Sequence, residues 1–92
     1  MELTYTYRLT PEAGGYTIQC LDVANIFTEC TTRAEAEEMA TEVTELMLED
    51  YLADPATMPH ARKGRKLGRN DFQLSFDALT GQRLDTSTLA VR

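Results

Sequence analysis

The side chains best suited to chemistry lie in two runs of opposite sign. From Arg33 to Asp50 one cation, Arg33, stands against Glu35, Glu37, Glu38, Glu42, Glu45, Glu49 and Asp50. From Arg62 to Arg69 the sign reverses, with Arg62, Lys63, Arg65, Lys66 and Arg69 and no acid between them. A cationic run can grip phosphates by displacing their counterions. This one lacks the aromatic rings on which single-stranded bases stack, and it can equally pair with an acidic helix of the same chain or of a second copy. These five residues are therefore the candidate phosphate contacts, and nucleic acid is not the favoured partner. An acidic run is usually a solvated face, but opposite a basic protein it speeds encounter and fixes orientation. Glu38, Glu42, Glu45 and Glu49 are the candidate partner-binding residues.

Bond-making chemistry finds less support. His60 is the only histidine, in a Pro-bounded loop with no Ser or Cys pattern beside it. Acid–base work needs a positioned partner, so His60 reads as a solvated loop residue. Cys20 and Cys30 are too few for a zinc ligand set. They read as buried reduced thiols, with pairing across neighbouring strands as the alternative. No cofactor, no metal and no catalysis are expected.

Hydrophobic residues make up 42% of the 92, enough for one packed core and too short a chain for a second. The net charge of -6 argues against nucleic-acid binding by the surface as a whole. No apolar stretch approaches the ~18 residues that cross a bilayer. Met1 to Tyr5 lacks the basic-then-apolar order of a signal peptide, so a cytoplasmic protein is expected.

The elements that must carry these residues follow from periodicity. Leu3, Tyr5, Tyr7 and Leu9 alternate with Thr4, Thr6 and Arg8, as a half-buried strand does. Pro11 and Gly14-Gly15 break it and allow a reversal. Tyr16 to Cys20 repeats the alternation, Asp22 and Asn25 make a corner, and Ile26 to Cys30 is a third short strand. Thr32 and Glu35 form a capping box. Ala36, Met39, Ala40, Val43, Leu46, Met47 and Tyr51 then give one apolar stripe, ending near Leu52 before Asp54-Pro55. After the basic loop, Phe72, Leu74 and Phe76 alternate again.

The expected fold is α+β, β-β-β-α-β: a three-stranded antiparallel meander, a fourth strand, and one helix on one face. Thr4, Thr6, Arg8, Thr17, Gln19, Gln73 and Ser75 would then lie on a wet face. Such a sheet invites pairing with another chain, so a homo-oligomer is expected. Residues 1–77 form the domain, and 78–92 a carboxy-terminal arm or an extra strand.

From Gly14 to Ala36 the chain resembles, without a gap, the amino-terminal domain of HicB-family antitoxins. That pattern runs roughly Gly-Gly-Tyr-x-Val-x-Phe-Pro-Asp-Leu-Pro-Gly-Cys-x-Thr-x-Gly-Asp-Thr-x-x-Glu-Ala. Gly14, Gly15, Tyr16, Asp22, Thr28, Thr32, Glu35 and Ala36 match it. Leu21, Ala24 and Asn25 stand where the family favours Pro, Pro and Gly, and Cys30-Thr31 replaces its Gly-Asp. The resemblance implies a partial ribonuclease H-like domain that neutralises a small basic HicA-like ribonuclease toxin by covering its active surface. A free-standing nucleic-acid-binding domain and a homo-oligomeric scaffold are the alternatives. Many relatives add a DNA-binding module. Only 15 residues follow Asp77, too few for a helix-turn-helix, so promoter binding is not expected. Ribonuclease H-type enzymes cluster carboxylates around two metals, and Asp22 matches the family's acid. A lone corner Asp is more simply a turn former bonding nearby backbone N–H groups.

Overall fold

The computed structural model describes residues 2–60 and 66–84. Strands β1 (Glu2–Glu12), β2 (Gly15–Cys20) and β3 (Phe27–Cys30) precede helix α1 (Ala36–Leu52), and β4 (Asp71–Asp77) follows it. They build a four-stranded sheet in the order β3-β2-β1-β4. Every pairing is antiparallel. This is the expected α+β arrangement. No helix among the described residues is long and apolar enough to cross a membrane.

β1 runs farther than its proline suggested. Pro11 pairs with Tyr16 and Glu12 with Gly15. The ladder alternation explains why. Leu21 donates its N–H to the Thr6 carbonyl at 2.8 Å, so even-numbered residues of β1 bond toward β2 and odd ones toward β4. β4 begins at Asp71 opposite Arg8, so the missing Pro11 N–H lies beyond the end of β4 and breaks no ladder bond.

The direction of β4 comes from the connection before it. α1 alone, returning from the end of β3, would deliver the chain to a strand parallel to β1. Instead the chain is pinned first where the Tyr5 hydroxyl donates to the Pro59 carbonyl (2.8 Å). It is pinned again where Leu9 N–H meets the Asn70 carbonyl (2.9 Å). It has thus travelled back along β1 before β4 starts, and β4 descends antiparallel.

The core lies between α1 and the sheet. Tyr5, Tyr7 and Phe76 are fully buried, with Leu3, Leu9, Ile18, Cys20 and Leu74 around them. Small residues on α1 (Ala36, Ala40 and Thr44, with Leu48) let it sit close over those large rings. Thr44 is buried because its hydroxyl meets the Tyr7 hydroxyl at 2.5 Å. Burial pushes the Tyr7 phenol upward despite that bond. The stripe expected from sequence is partly displaced. Leu46 is 66% exposed, while Thr44 and Leu48 occupy the inner line with Ala36 and Ala40. Those four follow a strict four-residue step, and Leu46 is two residues, half a turn, away from it.

The face away from the helix is not uniformly wet. Thr6 is 1% exposed and Ser75 8%, which corrects their placement among solvated alternates. Their partners explain it. Thr4 and Ser75 hydroxyls meet at 2.8 Å, and the Gln73 amide donates to the Thr6 hydroxyl at 3.1 Å. Arg8 closes the row on Asp71 at 2.9 Å. Each pair is a cross-strand neighbour, so β1 and β4 are joined by a polar ladder as well as by backbone.

At the start of the helix the Glu35 carboxylate accepts bonds from the Thr31 hydroxyl (2.6 Å), Thr31 N–H (3.0 Å) and Thr32 N–H (3.2 Å). Its first turn, Arg33–Glu35, is a 3-10 turn. The Thr31 hydroxyl and then the two N–H groups hold the Glu35 carboxyl below the usual glutamate range. A depressed acid stabilises the fold above its unfolded pKa, and that contribution is lost as pH falls through its folded one. Acidification below the ordinary glutamate range should therefore speed amide exchange at Thr31 and Thr32. In Glu35→Gln that pH dependence should vanish.

Candidate functional site

The residues shared with the HicB pattern prove to be framework. Gly14 turns the hairpin with φ 87°, a region open to glycine without strain. At Gly15 a Cβ would lie 2.5 Å from the Cys30 carbonyl oxygen. Side chains are excluded there because β3 passes directly beside it, not because the turn demands it. Gly15→Ala should push β3 away and cost about 1–3 kcal/mol, read as a lower urea midpoint with a normal slope. Tyr16, half-buried, carries the Arg33 guanidinium 5.8 Å from its ring centroid. Arg33 reaches on to Asn70 at 2.8 Å.

Asp22 is also structural, in a way its sequence position hides. Its Oδ2 accepts the Thr6 N–H at 2.8 Å, across the sheet. The carboxylate extends the β1–β2 ladder one rung past the end of β2, standing where a backbone carbonyl would. This bond reaches sixteen residues back along the chain, a longer range than a turn contact within the corner. Among the described residues no three His, Cys, Asp or Glu side chains converge as a metal-binding group. His60 is exposed.

Both cysteines are buried and neither is in a disulfide. Cys30 lies opposite Tyr16, whereas Cys20 lies opposite Tyr7. Four residues of β2 therefore separate their rungs, about 13 Å along the strand, beyond disulfide reach. Burial first, and the Glu35 carboxylate second, push the Cys30 thiol up.

The acidic residues divide into two sets. Arg83, which the sequence did not single out, lies in the segment that turns back beside β4 through a bridge to Phe76. Its guanidinium bonds Glu37 at 2.6 Å and Thr41 at 3.1 Å, and its backbone N–H bonds Glu45 at 2.8 Å. Glu45, one of the four candidate partner contacts, is thus half-buried and occupied within the chain. Glu38, Glu42 and Glu49 remain exposed on the outer face of α1. Nothing local in the sequence links Arg83 to a helix almost forty residues earlier.

Beside this outer face runs a shallow groove lined by Thr28, Met39, Val43 and Leu46 together with Glu42, Glu45 and Glu49. On the far face of β3, Phe27 is 54% exposed. Of the basic run, Lys66 and Arg69 are exposed, and Arg62, Lys63 and Arg65 lie outside the described residues. Arg69 lines a cleft with Arg8, but Arg8 is held by Asp71 through hydrogen bonds that raise its pKa.

Comparison of the sequence with protein-family models and with curated proteins finds no match.

Proposed function

We propose that this chain is a HicB-like antitoxin domain that binds and sterically blocks a small basic ribonuclease. The observation that carries the reading is the exposed ridge of Glu38, Glu42 and Glu49 on α1. These acids are held outward by a helix whose inner face is fully committed to the sheet. The chain's net charge of -6 extends the same field over the molecule. The residues that match the antitoxin pattern hold the corner and cap that set where α1 starts. Inhibition needs no bond made or broken: a close-fitting acidic surface over a cationic active face excludes RNA. The experiment is capture from the native host with the tagged chain, followed by mass spectrometry. A small basic protein, recovered in stoichiometric amount, is the expected result. Recovery of RNA or of the chain's own copies alone would overturn the proposal.

A further inference from the structure

We infer that the open edge of β3 is the docking rail for that partner, which adds a strand there. This deepens the antitoxin reading and rests on it for the partner's basic character. Backbone direction decides which groups of β3 are available. Cys20 donates its N–H to the Ile26 carbonyl at 3.0 Å, which makes Cys20/Ile26, Ile18/Thr28 and Tyr16/Cys30 the bonded rungs. The N–H and C=O groups of Phe27 and Glu29 therefore point away from β2. β3 is the last strand of the sheet on that side, so those groups face an edge with no described strand beyond it.

The other edge of the sheet is managed differently. There the chain returns beside β4, with Leu84 N–H on the Ser75 carbonyl at 2.9 Å and Asp77 N–H on the Gln82 carbonyl at 2.9 Å. Among the described residues, one edge is covered by the chain itself and the other is left open. An uncovered edge is a template for strand addition.

The surroundings of β3 specify what fits. A strand laid against it would send alternate side chains into the groove of Met39, Val43 and Leu46, on the helix side. The others would lie beside Phe27 and Glu29. Glu42 and Glu49 line that groove, and with Glu29 they place acids on both faces of the added strand. The occupant is thus an extended segment with apolar residues at alternate positions and cations near them. A second copy fits poorly. Pairing β3 with β3 would bring two such acidic rims together, each on a chain of net charge -6, and like charges facing each other oppose association.

The test uses isotope-labelled full-length chain and a blocked peptide of alternating valine and lysine, with a valine–glutamate peptide as control. Nuclear magnetic resonance should show the Phe27 and Glu29 amides shifting and gaining exchange protection, together with Met39, Val43 and Leu46. Glu29→Pro removes an outward N–H while sparing the β2 ladder. It should weaken peptide binding about tenfold relative to Glu29→Gln. Leu46→Lys, at an exposed site, should weaken it without unfolding. The inference falls if shifts stay on the outer acids while Phe27 and Glu29 are unmoved, or if the glutamate peptide binds equally well. It also falls if the same amides become protected with rising protein concentration alone, which would assign the edge to a second copy. If this inference alone fails, a basic partner is still captured from the host. If the antitoxin reading fails, no such partner appears although the peptide still binds.

Discussion

Phe76→Ala should leave the chain close to unfolding at room temperature. Phe76 is fully buried on β4, its ring 6.1 Å from that of Tyr5 in the middle of the sheet. Truncating a buried phenylalanine costs about 3–5 kcal/mol, through lost transfer energy plus the cavity left behind. A domain of this size has a total stability of about 5–15 kcal/mol, so the loss is a large share of it. The site cannot collapse easily, because Phe76 is fixed by pairing to Leu3 on one side and to Arg83 on the other. Losing it should also loosen the Arg83 contacts on α1. Thermal unfolding followed by circular dichroism reads the effect as a drop in Tm. Leu79→Ala, at a side chain 78% exposed, should change stability by less than about 0.5 kcal/mol. A small shift for Phe76→Ala would mean that the β1–β4 half of the core is looser than its burial implies.

The second large effect is on association. Reversing Glu38, Glu42 and Glu49 to lysine should weaken the complex with the captured basic partner about a hundredfold. Each exposed pair is worth up to about 1 kcal/mol, and reversal adds repulsion to the loss. Three together come to about 3 kcal/mol, or two decades in Kd. The wild-type complex should weaken steeply with added salt and the reversed variant should not. The fold should survive, since all three side chains are exposed and α1 keeps its buried line of Ala36, Ala40, Thr44 and Leu48. Glu37 and Glu45 are the informative contrast. Both are bound by Arg83, so reversing them should reduce stability as well as affinity. Unchanged binding by the triple variant would remove the acidic ridge from the mechanism.

What sequence made legible is what is decided by neighbours close in the chain. Strict alternation identified Leu3, Tyr5, Tyr7 and Leu9 as the inner line of β1, because a strand's two faces are fixed by parity alone. The Thr32 and Glu35 pair marked the start of the helix region, and Asp54-Pro55 its end. Burial of Thr6, Thr44 and Ser75 was not legible. Each hydroxyl is tolerated inside because a partner distant in sequence satisfies it: Gln73, Tyr7 and Thr4 respectively. The direction of β4 depends on where Tyr5 and Leu9 pin the connection, which no periodicity reports.

The candidate site was legible as charge and illegible as geometry. The helix acids were visible as a run, but which of them Arg83 would occupy depends on the turn after β4. Asp22 reads as structural from sequence, as a carboxylate taking a backbone N–H, but that one donor is Thr6, across the sheet, depends on β1–β2 register. Gly15 matched a family pattern, yet its cause is the approach of the Cys30 carbonyl, a contact set by β2–β3 register. The groove beside β3 was hidden because Leu46 counted as core by spacing. Its exposure follows only once the inner line is known to run through Thr44 and Leu48.

The most direct measurement is a titration of this chain into the captured basic partner while cleavage of a labelled RNA is followed. Cleavage should fall linearly and stop at a fixed molar ratio, without added magnesium and without any change to the RNA made by this chain alone. Undiminished cleavage at excess chain would contradict the antitoxin reading, however tightly the two proteins bind.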